Sequence, residues 1–88
     1  MEFKKLVKGF EAIDESGKKI GQVDFTINDD LMRITHTHVD SDNKGKGVAK
    51  ELVKTAVDYA RHKNLKVKPL CSVAAYILKS EEFKDIIE

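Results

Sequence analysis

The sequence predicts a single small α/β (α+β) domain covering residues 1–88. Three observations predict it: apolar residues alternate at period two through the first part of the chain, the period lengthens to about 3.6 from Val48, and a short strand-like run at residues 66–70 follows that helix. A chain of 88 residues holds one sheet with two or three helices and no second core, so any large ligand must sit on the surface.

Residues 6–14 carry Val7, Phe10, Ala12 and Ile13 among polar neighbours and lead into Glu15-Ser16-Gly17-Lys18, a hairpin signal. The returning strand is Lys19–Asn28, with Ile20, Val23, Phe25 and Ile27 apolar, and Asn28-Asp29-Asp30 turns the chain into Leu31–Val39. These connections are too short for a crossover, so the three strands form an antiparallel meander. Val48, Leu52, Val53, Ala56, Val57, Tyr59 and Ala60 then trace a helical stripe opposite Lys50, Glu51, Lys54 and Asp58, over about four turns. The helix stops near His62-Lys63-Asn64, where cations suit the negative end of the dipole and Asn accepts a left-handed cap. Residues 66–70 form a fourth strand, which the intervening helix makes parallel to the third. Ser72 is expected to cap a second helix, residues 73–79, and Ser80 a third, residues 81–87.

Sixteen Lys and Arg against fifteen Asp and Glu leave a net charge of +1, which provides no broad field for nucleic acid or an anionic membrane. Attraction for anions must therefore be local. The four Phe and two Tyr do not interleave with lysines as an RNA-binding face would. No apolar stretch approaches the roughly 20 residues of a membrane span, and Met-Glu-Phe-Lys-Lys-Leu lacks a signal-peptide core, so a soluble cytoplasmic protein is expected. The single cysteine, Cys71, excludes an internal disulfide and a multi-cysteine metal site.

The local anion site is Lys44-Gly45-Lys46-Gly47-Val48-Ala49, between the third strand and the long helix. Glycines let the backbone turn its N–H groups into one concavity, the helix dipole adds positive potential, and two lysines stand at the rim. Asp40 and Asp42 upstream read as turn and cap residues.

This loop, in its strand-loop-helix context and with Leu52-Val53 behind it, resembles the acyl-CoA motif of the GNAT superfamily of acetyl-CoA-dependent N-acetyltransferases: Gln or Arg, two residues, Gly, one residue, Gly or Ala. Lys44 stands in the first place. His36-Thr37-His38-Val39 through Gly47, together with Pro69-Leu70-Cys71-Ser72-Val73-Ala74-Ala75-Tyr76-Ile77, resembles a subfamily of very short stand-alone GNAT-like proteins. The resemblance covers nearly the whole chain. It implies a minimal GNAT-like fold: a three-strand meander, a splayed parallel fourth strand, one long helix and two short ones. It also implies that the first strand, first two helices and last strands of larger GNAT enzymes are missing, and with them much of the acceptor site.

The resemblance further implies a pyrophosphate site on the backbone of Lys44, Gly45, Lys46, Gly47, Val48 and Ala49, and a pantetheine arm in the gap between the strand ending at Val39 and the strand ending at Leu70, with Val39 and Ser72 among the cofactor-binding residues. Strict alternation places Ile34, His36 and His38 on one strand face and Thr35, Thr37 and Val39 on the other. Cys71 directly follows the fourth strand, so an approach of His36 or His38 to Cys71 is expected. In one reading Cys71 attacks the acetyl thioester with a histidine as base. In the other it is a small side chain where many GNAT enzymes have Asn, and the histidines fill a half-polar sheet face. Related short proteins carry His-Thr-Glu-Val, which favours His36 as the catalytic histidine and makes His38 a replacement for the usual GNAT glutamate. Tyr76 falls in the stretch where a GNAT tyrosine contacts the leaving sulfur, with packing on pantetheine or core as the alternative. His36 and His38 alone lack a third metal ligand, so no metal is expected.

The leading expectation is an acetyl-CoA-binding N-acetyltransferase acting on an unidentified amine or protein acceptor, with Cys71 a candidate acetyl carrier. The alternative is a non-catalytic acyl-CoA-binding or sensing module. No nucleic acid or membrane partner is expected, and the chain is expected to be a monomer or weak dimer.

Overall fold

The computed structural model describes residues 1–88. Five strands, β1 (Glu2–Leu6), β2 (Gly9–Ile13), β3 (Lys19–Asn28), β4 (Leu31–Val39) and β5 (Lys66–Pro69), form one sheet in sequence order. The first four pair antiparallel and β5 joins β4 in parallel. The long helix α1 (Val48–His62) crosses from β4 to β5, and α2 (Ser72–Ile77) follows. Single 3₁₀ turns lie at Ser41–Asn43 and Glu81–Phe83.

The sheet has one strand more than expected. What reads as a single strand at residues 6–14 is the end of β1, a turn and β2, and Val7, counted into that alternation, sits in the turn at 92% exposure. Gly9 opens β2 where a Cβ would stand 2.1 Å from the Val23 carbonyl oxygen, so only glycine permits the close approach to β3. The expected third helix is one 3₁₀ turn followed by a turn at residues 84–86, after which Ile87 bridges to Val67 in parallel. The Ser80 side chain makes no capping bond.

Helix α1 buries Val48, Leu52, Val53, Ala56, Val57 and Ala60 against the sheet, meeting Val23, Phe25, Met32 and Ile34 in one core. No polar side chain is buried there. Phe10, Phe25 and Tyr59 pack ring to ring at 5.8–6.1 Å, and the Lys5 ammonium lies 5.1 Å from the Tyr59 ring centroid, so Tyr59 belongs to the core edge. Arg61 at the end of α1 holds the C-terminal segment through Asp85 at 2.7 Å. No helix is long and apolar enough to cross a membrane.

Candidate functional site: a cleft between a splayed strand pair and a glycine loop

Strand β4 is irregular at its centre. Asp24 of β3 pairs with His36 and the next residue, Phe25, with Ile34, so Thr35 is left opposite no residue. An extra residue in one strand of an antiparallel pair is a β-bulge, and it reverses the side-chain alternation beyond it. Thr37 and Val39 therefore pair with Val23 and Gly21 and share the α1 side of the sheet with Met32 and Ile34. His36 and His38 pair with Asp24 and Gln22 on the opposite face and are exposed. This corrects the face assignment from strict alternation: Ile34 does not share a face with the histidines.

The side chain that meets Cys71 is accordingly Thr37, with Oγ1 3.4 Å from Sγ, and neither histidine forms a bond to Cys71. Cys71 also takes the capping position expected of Ser72: its Sγ accepts the Ala74 backbone N–H at 3.3 Å, and Ser72 is the first residue of α2. Two hydrogen-bonding groups thus fix the half-buried sulfur. His38 faces Asp40 instead, Nε2 to Oδ1 4.0 Å, with its side chain 76% exposed.

The same region opens the sheet. Parallel pairing of β4 and β5 runs from Leu31–Lys66 to Ile34–Pro69, and the Ile34 carbonyl then accepts both the Leu70 and Cys71 N–H groups. Past that point β5 leaves, so residues 35–39 have no neighbour on that side. The Asp40 N–H donates to Ile20 O at 2.9 Å, so the amides of residues 40, 38 and 36 face β3, and those of Thr37 and Val39 turn toward the vacated edge. The expected splay is present.

The glycine loop closes the other wall. Gly45 and Gly47 have φ of +80° and +79°, conformations that a Cβ disfavours, and Gly47 is the N-cap of α1 without a side-chain cap. The amides of Gly45, Lys46 and Gly47 donate to no protein acceptor, and those of Val48, Ala49 and Lys50 precede the first possible i→i−4 bond of α1. Between loop and strand lies a cleft of about 310 Å³, bounded by Thr37, Val39, Lys44, Gly47, Ala49 and Val73. Backbone donors stand at one end of it and the unpaired edge of β4 at the other, an arrangement suited to an anion joined to an extended arm with its own amide groups.

The structure thus gathers Val39, Lys44, Gly45, Gly47, Val48, Ala49 and a histidine, His38, around one cleft. Lys46 is exposed on the same loop, and Ser72 lines an adjoining trough with Tyr76. Tyr76 is 75% exposed and lies beside Ala49 and Lys50, on the helix face away from Ala74. Thr37, Asn43 and Val73 line the cleft without having been singled out from sequence. Thr37 had a signal: Ile34 and Val39 are both apolar and an odd number of positions apart, which strict alternation does not allow on one face. No three His, Cys, Asp or Glu side chains gather to hold a metal ion.

A family model described as GCN5-related N-acetyltransferase matches residues 9–86. A GCN5-like protein of Staphylococcus aureus is 29% identical, with a TM-score of 0.80 over 99% of this chain and 87% of that one. A GNAT-family N-acetyltransferase of Escherichia coli in complex with CoA is 26% identical, with a TM-score of 0.69; the match covers 90% of this chain but 46% of that protein. Tetrahymena GCN5 shares the fold at 15% identity and a TM-score of 0.68, over 91% of this chain and 59% of that one. No curated protein sequence matches the chain. With its splayed strands, its glycine loop and a family match across nearly its whole length, the chain belongs to the GCN5-related N-acetyltransferases.

Proposed function

We propose that the protein binds acetyl-CoA in this cleft and transfers the acetyl group to an amine. The observation that carries the proposal is the set of unpartnered loop amides at the α1 N-terminus, opening into a cleft that runs to the unpaired edge of β4. The pyrophosphate would take the Gly45–Gly47 amides, with Lys44 and Lys46 adding charge, and the pantetheine amides would take the free Thr37 and Val39 edge. That path ends at Thr37, whose hydroxyl touches Cys71.

Two routes to the amine follow. In the covalent route Cys71 Sγ bonds to the acetyl carbonyl carbon, the bond to the CoA sulfur breaks, and CoA leaves as a thiolate that takes up the proton Cys71 gave. The amine nitrogen then bonds to the acetyl carbon of the acetyl-cysteine, the bond to Cys71 Sγ breaks, and the proton given up by the amine restores the Cys71 thiol. In the direct route the amine nitrogen bonds to the acetyl carbon of the CoA thioester itself, the bond to the CoA sulfur breaks, and CoA leaves as a thiolate that takes up the proton the amine gives up. His36 and His38 lie on the sheet face away from the helices, which suits them to relieve an amine arriving from that side of its proton, His38 being next to the cleft. The same face carries no covering element, and this favours a second reading in which the chain binds acyl-CoA without turnover until a partner supplies an acceptor wall.

An amide-resolved NMR titration with acetyl-CoA, followed by intact mass and an amine panel, tests these readings. Saturable shifts at residues 44–49, Val39 and residues 71–76 are expected. An acetyl adduct lost in Cys71→Ala, together with turnover, supports the covalent route, and full turnover in that variant leaves only the direct one. Binding without turnover on any amine selects the non-catalytic reading, and absence of saturable shifts rejects all three.

A further inference from the structure

The trough lined by Ala49, Lys50, Ser72, Val73, Tyr76 and Ile77 is almost wholly apolar except at its rim, and it shares Ala49 and Val73 with the cleft. Tyr76 forms its outer wall at 75% exposure, whereas the other five aromatic side chains of the protein are buried or half-buried. An exposed aromatic ring over an apolar floor, beside Ala49 and Lys50 in the first turn of α1, presents a stacking surface next to a cation.

We propose that Tyr76 and Lys50 form the subsite for the nucleotide end of the coenzyme, with adenine stacked on the Tyr76 ring and the 3′-phosphate at the Lys50 ammonium. The inference rests on the acetyl-CoA reading. If the diphosphate occupies the loop amides and the pantetheine runs toward Thr37 and Cys71, the adenosine must leave the diphosphate on its other side. The trough adjoins the loop there, through Ala49, the second residue of α1. Tyr76 is turned toward Ala49 and Lys50, not toward Cys71, so the geometry gives it contact with the nucleotide and none with the reacting sulfur. Stacking on a tyrosine ring suits a purine, and Lys50 adds selectivity for the 3′-phosphorylated form.

Calorimetric titration with CoA, dephospho-CoA and 4′-phosphopantetheine separates the parts of the ligand. Tyr76→Ala is expected to weaken CoA about tenfold and to leave 4′-phosphopantetheine unchanged, while Tyr76→Phe keeps the wild-type affinity. Lys50→Ala is expected to weaken CoA and not dephospho-CoA. A Tyr76→Ala variant that binds CoA as the wild type does, or that loses both CoA and 4′-phosphopantetheine alike, overturns the subsite. So does one that keeps its CoA affinity but changes oligomeric state in sedimentation, since Tyr76 would then face another copy. If the wild type binds none of the three probes, the coenzyme reading falls first and the subsite with it; binding of all three with no effect of Tyr76→Ala removes the subsite alone.

Discussion

Along β4, residues 31–34 have β3 on one side and β5 on the other, whereas residues 36–39 have β3 alone. The first half supplies Met32 and Ile34, both fully buried, to the core. The second half supplies free amides, the Thr37 hydroxyl on Cys71, and two exposed imidazoles on the far face. Thr35 separates them. The extra residue turns Thr37 and Val39 toward the helices just where β5 departs, so one local irregularity sets both the face and the open edge. Stability and candidate chemistry occupy consecutive residues of the same strand, and Val39, which is buried in the core and lines the cleft, serves both.

Cancelling the separator is expected to have the largest effect. Inserting one serine between Asp24 and Phe25 gives Thr35 a partner, restores strict alternation, and turns Asp24, His36 and His38 into the helix-facing layer, where the two unpartnered imidazoles alone cost about 4 kcal/mol together. Urea denaturation measures this, and an insertion variant as stable as the wild type would show that the bulge does not fix the faces. Next comes Ile34→Ala, which hollows the paired half and should lower stability by about 3 kcal/mol while the folded fraction keeps its affinity for acetyl-CoA. An equal loss of affinity would blur the two halves. Thr37→Val in the open half should do the reverse: a change within about 1 kcal/mol in stability, but alkylation of Cys71 by iodoacetamide slowed about three- to tenfold and restored in Thr37→Ser. Unaltered labelling would reduce the Thr37 contact to packing.

The smallest effect is expected at the strap that covers β5. The hydrogen bond from Arg61, opposed by some desolvation and aided by the guanidinium charge, holds the Asp85 carboxyl below the usual carboxylate range. A depressed folded pKa adds stability above the unfolded pKa, and that stability is lost as pH falls through the folded value. Wild type and Asp85→Asn should therefore differ slightly in thermal midpoint at neutral pH and converge in acid, the pair being exposed. A difference that persists when the carboxylate is protonated would assign it to something other than the ion pair.

Much of this arrangement was legible in the residues. Period-two runs marked β3 and β4 to their ends, because each buries one face under a single helix and carries polar residues on the other. The switch to helical spacing at Val48 and the glycine pair before it placed the loop and α1. Strand β1 was hidden because Glu-Phe-Lys-Lys-Leu holds two apolar residues and sits at a sheet edge, half solvated. The last helix failed because Ile86 and Ile87 are used differently: Ile86 enters the core while Ile87 extends along Val67. Cys71 displaced Ser72 as cap since tertiary contact with Thr37 fixed which residue stood in extended conformation before α2. The faces of His36 and His38 were the least legible, since an inserted residue has no composition of its own.

The bare N-terminus of α1 has a consequence for ionic strength. Charge from Lys44 and Lys46 reaches solvent and draws an anion from a distance, but salt at physiological concentration screens it within about 8 Å. The fixed dipoles of the Gly45, Lys46 and Gly47 amides act at contact, where salt screens little. Capture by this loop should thus slow as salt rises while the lifetime of a captured anion changes little, and replacing the lysines should mimic high salt whereas replacing the glycines should not.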